Sequence, residues 1–341
     1  MNKHHFILWF ALWASVLLVA SFIIPVILVN EKEESPSISL MEDESKSGVI
    51  EETEPIYVPI YMTKDKKVEV IPLETYVKGV IAAEMPIEFE LEALKAQAIA
   101  ARTYIFRRMV EQDFSNVPAE GKGAYVTDTV SHQVYLSEEK LQQRWSGVIY
   151  EDNMDKINRA VNETKGLIAT YDNHPINSTF FSTSNGYTEN SEDYWSIELP
   201  YLRSVESPWD VEISPKYKNT IVLSTQDFFN KLNINPAQPA STGQTLIKVL
   251  EWSEGHRIKK IAFGDIVLTG REVRERLGLS SSQFEMDLQG NEIQITSYGY
   301  GHGVGMSQWG ANGMAKEGRT AEEILLHYYQ GIEVQKVNTT L

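Results

Sequence analysis

The sequence predicts an α+β fold: mixed helices and β-hairpins with no repeating strand-helix unit. Three observations carry this. GLIATYDNHPINSTFFS and FEMDLQGNEIQITSY each set β-rich runs on either side of turn chemistry, at Asp172 to Pro175 and at Gln289 to Asn291, which is how a hairpin reads. Two capping boxes, Thr269 with Glu272 and Thr320 with Glu323, each stand before a helical run, where hydroxyl and carboxylate satisfy the first free N–H groups. Neither the alternation of a doubly wound sheet nor an internal repeat is present.

From the amino terminus, Phe6 to Val29 is an uncharged apolar run. As a helix it would span roughly 36 Å, enough for a bilayer core of roughly 30 Å. It reads as a transmembrane helix over 6–29. A signal peptide cut near Ala20 is the rival, but the apolar run continues beyond the length such a peptide uses. Lys3 precedes the run and acids follow it, which assigns residues 1–5 to the cytoplasm and the bulk of the chain to the outside. Residues 30–55, rich in acids, Ser and Pro, hold too little apolar surface to fold and form an extended tether.

The folded region is expected over 56–341, opening with the strand-like runs IYVPIYM and KVEVIPL. LETYVKGVIAAEM follows as a helix with Leu73, Val77, Val80, Ile81 and Glu84 on one face. It should stop at Met85, because Pro86 disfavours helical geometry in the residue before it. In the next helix, Leu94, Ala98, Arg102 and Ile105 share a face. Gly278 and Gly331 stand as the stops after VRERL and ILLHYYQ.

The 341-residue chain is 42% hydrophobic, enough for a sizeable core. Its formal charge of -16 argues against nucleic acid or another polyanion as partner and favours an uncharged or cationic substrate. There is no cysteine, which excludes disulfides, thiolate metal sites and a cysteine nucleophile.

Glu84 is the residue that asks for an explanation. On an apolar face at a helix C-terminus, burial and the helix dipole both disfavour its ionised form. A carboxyl kept protonated near neutral pH is what general-acid cleavage of a glycosidic bond requires. The alternative is a Glu turned to water or paired with a base. Arg102, also on an apolar stripe, needs an acidic partner; it either pairs with Glu84 or holds a substrate oxygen. SYGYGHGVGMSQWGANGMAKEG fits neither a P-loop nor a dinucleotide fingerprint; it either presents His302, Ser307 and Gln308 among alternating glycines or is a glycine-rich crossing packed under Trp309. FFSTSNGYTENSEDYW, with Ser184, mixes hydroxyls, amides and aromatic rings as sugar-binding sites do. No Gly-x-Ser-x-Gly elbow and no His-Glu-x-x-His is present, and His132 stands alone.

These motifs in order (AAEMP, EALKAQAIAARTY, SHQVY, FFSTSNGYTEN, YLRSVESPWD, GHGVGMSQWGANGMA, ILLHYYQG) resemble the stage II sporulation protein D family, which also includes amidase enhancers. The similarity runs from about Val58 to Gly331. The resemblance implies one large extracytoplasmic catalytic region with a glycan groove. It implies a membrane-anchored lytic transglycosylase of forespore engulfment, working on the mother-cell side, facing the septal or intermembrane space. The implied substrate is peptidoglycan glycan strands freed of stem peptides, and the implied partners are the stage II P amidase/endopeptidase and the stage II M membrane protein. The family's catalytic acid falls on Glu84, its essential arginine on Arg102, and further functional positions on Tyr201, Arg203 and Asp210. Some relatives hold zinc with His and Cys; this chain keeps His132 without a cysteine, and neither metal nor cofactor is expected. A hydrolytic muramidase and a non-catalytic, glycan-binding amidase activator are the rival readings.

Overall fold

The computed structural model describes residues 55–234 and 247–337. The membrane span and tether expected over 6–29 and 30–55 lie outside the described residues, apart from position 55. No helix among the described residues is long and apolar enough to cross a membrane.

The chain begins with β1 (Tyr57–Met62), β2 (Lys67–Pro72), α1 (Leu73–Glu84), α2 (Leu91–Val110) and β3 (Val126–Thr127). It continues with α3 (Glu138–Arg144), α4 (Val148–Glu163), β4 (Leu167–Tyr171), β5 (His174–Pro175), β6 (Phe180–Phe181), α5 (Ser191–Trp195) and α6 (Trp209–Ile213). Next come β7 (Lys218–Ser224), α7 (Thr225–Leu232), β8 (Ile247–Trp252), β9 (Ile258–Phe263), β10 (Ile266–Thr269) and α8 (Gly270–Leu277). The last elements are β11 (Phe284–Gln289), β12 (Glu292–Tyr298), β13 (Met306–Ser307), α9 (Gln308–Lys316), α10 (Ala321–Tyr328) and β14 (Glu333–Lys336). This is the mixed α+β architecture the sequence predicts.

The hairpin predicted at Gln289 to Asn291 forms as read, whereas the one at Asp172 to Pro175 is shorter: its second strand is His174–Pro175 itself, and Phe180–Phe181 pairs with β13 instead. β4 pairs with β5 across Asp172 and Asn173, whose φ values of 49° and 61° are the left-handed pair that a tight hairpin turn demands. β11 pairs with β12 from Phe284 opposite Ser297 to Gln289 opposite Glu292. Both capping boxes are complete, and Gly278 closes α8 at φ 70°. α10 ends at Tyr328, short of Gly331.

α2 is the axis of the first part of the fold. It is lined with Ala93, Ala96, Ala98, Ala100 and Ala101, all buried, and these small side chains let α1, α4, β4, α9 and α10 pack against it closely. A second core, with Phe228, Ile261, Val273 and Ile295 at its centre, is closed by the sheets β10-β9-β8 and β11-β12-β7 with α7 and α8. The pairing that positions the site is small: β6 runs parallel to β13, bringing Phe180 and Phe181 beside Met306 and Ser307.

Candidate active site

α1 ends where the proline rule says it must. Met85 is extended at φ -111°, ψ 138°, so Glu84 is the last helical residue, half-buried at the carboxyl end. The segment after β3 folds over it because Gly79 has no side chain: a Cβ there would meet the Tyr135 ring at 2.3 Å and the Leu136 carbonyl at 2.5 Å. That close approach lets the Val134 N–H donate to Glu84 Oε1 at 2.8 Å. Burial raises the Glu84 carboxyl above its ordinary value, against the opposing pull of the Val134 N–H and the nearby Gln308 amide. No cation is among the causes. Beyond the turn, Phe89 packs edge-on to Trp309 at 4.7 Å and the Glu90 N–H donates to Asn312 Oδ1 at 2.8 Å, which ties the end of α1 to α9.

Glu84 opens into a cleft of about 770 Å³ whose lining also holds His132, His302 and Gln308. The four alternating glycines of the His302 loop all have positive φ, and a Cβ on Gly303 would stand 2.4 Å from the Arg257 guanidinium carbon. Glycine is therefore needed there for conformation and for contact. His302 Nδ1 accepts from the Val304 N–H at 3.1 Å, leaving the ring proton on Nε2. Burial, helped by the fields of Arg274 and Arg257, brings its pKa down to about 3. The ring is a neutral wall, with Phe181, Tyr194 and Trp195 at centroid distances of 5.7, 5.6 and 5.3 Å.

The remaining predicted site residues lie elsewhere, for reasons visible in their contacts. Arg102 neither pairs with Glu84 nor faces the cleft. It is 1% exposed and grips Glu74 with two nitrogens, Nε at 3.0 Å and Nη2 at 2.7 Å, while Nη1 donates to the Leu167 carbonyl at 3.1 Å. Glu74 is in the first turn of α1, about 15 Å along the helix from Glu84, so Arg102 fastens the far end of that helix to α2 and β4. Tyr201 is buried against Tyr171, its hydroxyl accepting from the Asn177 N–H at 3.1 Å. Arg203 is held by Glu192 through both terminal nitrogens.

Asp210, wholly buried, accepts from the Ser184 N–H at 2.8 Å, the Ser207 hydroxyl at 2.7 Å and the Ser307 hydroxyl. Burial raises its carboxyl against those donors. Ser184 donates to the Ser207 carbonyl at 2.9 Å. Ser307 also caps α9, so this polar hub sets the first turn that carries Gln308 without itself reaching the cleft. His132 lines the cleft. Nδ1 accepts from the Thr127 N–H at 3.2 Å and Nε2 lies 3.0 Å from the Ser115 carbonyl. With both nitrogens engaged within the chain, it does not fit a zinc-ligand role.

Arg144, Trp145, Lys216, Arg274 and Tyr300 also line the cleft, and sequence reasoning did not single them out. The arginines lie on helices where the period shows only a solvated face. One signal was available: neither has an acid three or four residues away in the sequence, as an exposed helical arginine commonly does.

The profile of the stage II sporulation protein family matches residues 61–171. The chain is 43% identical over 342 aligned residues to stage II sporulation protein D of Bacillus subtilis (strain 168), covering 97% of each protein. It is 44% identical to stage II sporulation protein D of Bacillus amyloliquefaciens, covering 96% of each. An amidase enhancer of Bacillus subtilis is 28% identical over 74% of this chain and 39% of its own length.

Proposed function

The chain belongs to the stage II sporulation protein D family, and from that premise we propose that it is a lytic transglycosylase of peptidoglycan. It cleaves between N-acetylmuramic acid and N-acetylglucosamine in strands freed of stem peptides, during forespore engulfment. The observation that carries the reading is Glu84: a carboxyl raised by burial, with no cation among the causes of its shift, in a cleft walled by aromatic rings.

Glu84 in its acid form gives its proton to the glycosidic oxygen as the bond to muramic C1 breaks. The muramic C6 hydroxyl then closes on C1. Glu84, now a carboxylate, takes the hydroxyl proton and returns to its starting state. One bond is broken, one is formed, and no water enters the product, so a single carboxyl serves where hydrolytic glycosidases use two. The Val134 N–H holds the carboxyl in place throughout, and it can donate to either protonation state. Aromatic rings suit the C–H faces of the sugars. The apolar run over 6–29 would tether the site to the cell membrane, beside an amidase and a membrane partner of the same process.

Identifying the new ends made from peptide-free glycan tests this. The reading predicts 1,6-anhydro ends from the parent and none from Glu84→Gln; reducing ends would make the protein a hydrolytic muramidase, with Glu88, the other carboxylate of the cleft lining, as the candidate second group. The relation to an amidase enhancer supports a second reading, a glycan-bound activator of an amidase. If Glu84→Gln stimulates an amidase as well as the parent does and neither cuts glycan, that second reading holds and the first is lost.

A further inference from the structure

The chain has eleven arginines, all among the described residues. Nine of them have a carboxylate within 4.0 Å. The two without one among the described residues are Arg144 and Arg274, and both line the cleft that holds Glu84.

Each is fixed by neutral contacts that leave its charge uncompensated. Arg144 donates from Nη1 to the Ala82 carbonyl at 2.9 Å, at the end of the helix that carries Glu84, and lies 5.5 Å from the Trp145 ring centroid. Arg274 donates from Nη1 to the Tyr194 hydroxyl at 3.2 Å on the His302 side, while its buried Nε has no hydrogen-bond partner. Lys216 adds a third cation to the lining, its Nζ 5.0 Å from the Tyr300 ring centroid. Arg144 is exposed and Arg274 half-buried; in a chain of net charge -16 that pairs every other arginine with an acid, two guanidinium groups left open on one cleft are placed to meet an anion. A guanidinium presents paired N–H donors that match a carboxylate.

We propose that Arg144 and Arg274, assisted by Lys216, are an anion-recognition set that binds free carboxylates on the glycan beside the bond that Glu84 cleaves. This rests on the function proposed above. Each muramic unit carries a lactyl group that ends in an amide while a stem peptide is attached and in a carboxylate once the peptide has been removed. A cleft that reads the carboxylate therefore accepts stripped strands and rejects decorated ones. The net charge does not oppose this, because a bound anion responds to the charges within a Debye length, about 8 Å at physiological salt, more than to the sum over the molecule.

The test uses the full chain in detergent, carrying Glu84→Gln so that binding is measured without turnover. Three probes are compared: peptide-free glycan strands, the same strands with their carboxylates methyl-esterified, and uncharged N-acetylglucosamine oligomers. The proposal expects esterification to weaken binding by about tenfold or more, as the loss of a charge-assisted hydrogen bond does. Arg144→Gln and Arg274→Gln should each weaken binding of the free-acid strands by a similar factor, more at low salt than at high, and leave the neutral oligomers unchanged. Arg274→Lys, which keeps the charge if the Tyr194 contact is lost, should recover part of the loss. Equal binding of esterified and free strands overturns the proposal, and so does an equal loss of neutral oligomers in the arginine variants. If none of the three probes binds the parent, the glycan reading of the cleft fails instead.

Discussion

The two ends of α1 carry the same residue type in opposite circumstances. Glu74, in the first turn, faces the favourable end of the helix dipole and is gripped by Nε and Nη2 on one edge of the Arg102 guanidinium. Glu84, the last residue, sits at the unfavourable end with no cation to hold it, only the Val134 N–H. One is a fastening. The other is drawn towards its neutral form by burial and faces a cleft, so a carboxylate's chemistry here is set by which end of one helix it occupies and what crosses there.

The largest effect that would break this contrast is at the cleft end. Glu84→Gln keeps the shape and the acceptor for Val134 but has no proton to give, and glycan cleavage should fall by about 10²–10⁴-fold, counted as anhydro ends released. Activity near that of the parent would end the distinction between the two ends.

At the fastening end, Arg102→Met should leave Glu74 without its partner and destabilise the fold by about 3 kcal/mol, read from denaturant unfolding. Cleavage per folded molecule should change little, because Arg102 does not touch the cleft. A selective loss of kcat with unchanged stability would move Arg102 back to the chemistry.

Gly79→Val couples the two regions. Its side chain would push the Tyr135 segment off α1, costing about 2 kcal/mol for overpacking and withdrawing the Val134 N–H from Glu84. Stability and cleavage should fall together.

The smallest effect is in the pH dependence. The folded Glu84 carboxyl lies above its ordinary value of 4.5, so the stability tied to its neutral form is complete below that value and is lost as pH rises through the folded pKa. Glu84→Gln removes the titration. The variant should melt slightly above the parent at pH 7 and together with it at pH 4, while the parent's cleavage rate falls as pH rises through the same window. A variant that melts below the parent at pH 7 would mean that Glu84 is held as a carboxylate after all.

Much of this was legible in local sequence. The hairpin turn at Gln289 to Asn291, both capping boxes and the end of α1 depend on residues a few positions apart, and each appears as read. Glu84 was legible for the same reason: the helical period puts it on the apolar face and Pro86 ends the helix beside it. The partner of Arg102 was not. Periodicity shows that the side chain is buried, but Glu74 is 28 residues away, and the angle at which α2 crosses α1 selects it over Glu84. Tyr201, Arg203 and Asp210 were assigned around a groove by resemblance; their contacts are with Asn177, Glu192 and the Ser184, Ser207 and Ser307 cluster, and none of the three lines the cleft. The charge of -16 pointed to uncharged or cationic substrates because a sum carries no positions, and Arg144 and Arg274 are matters of position.

By itself the sequence determined the α+β character, where the elements stop, and that one carboxyl would be drawn towards its neutral form. Only the tertiary structure decided which charges would be neutralised and which left open, because ion pairing needs groups within a few ångströms and that distance is set by how helices cross. Secondary structure and its caps are settled between near neighbours along the chain. A cleft is settled between strangers, and here it gathers the end of α1, the His302 loop, and two arginines from helices more than a hundred residues apart.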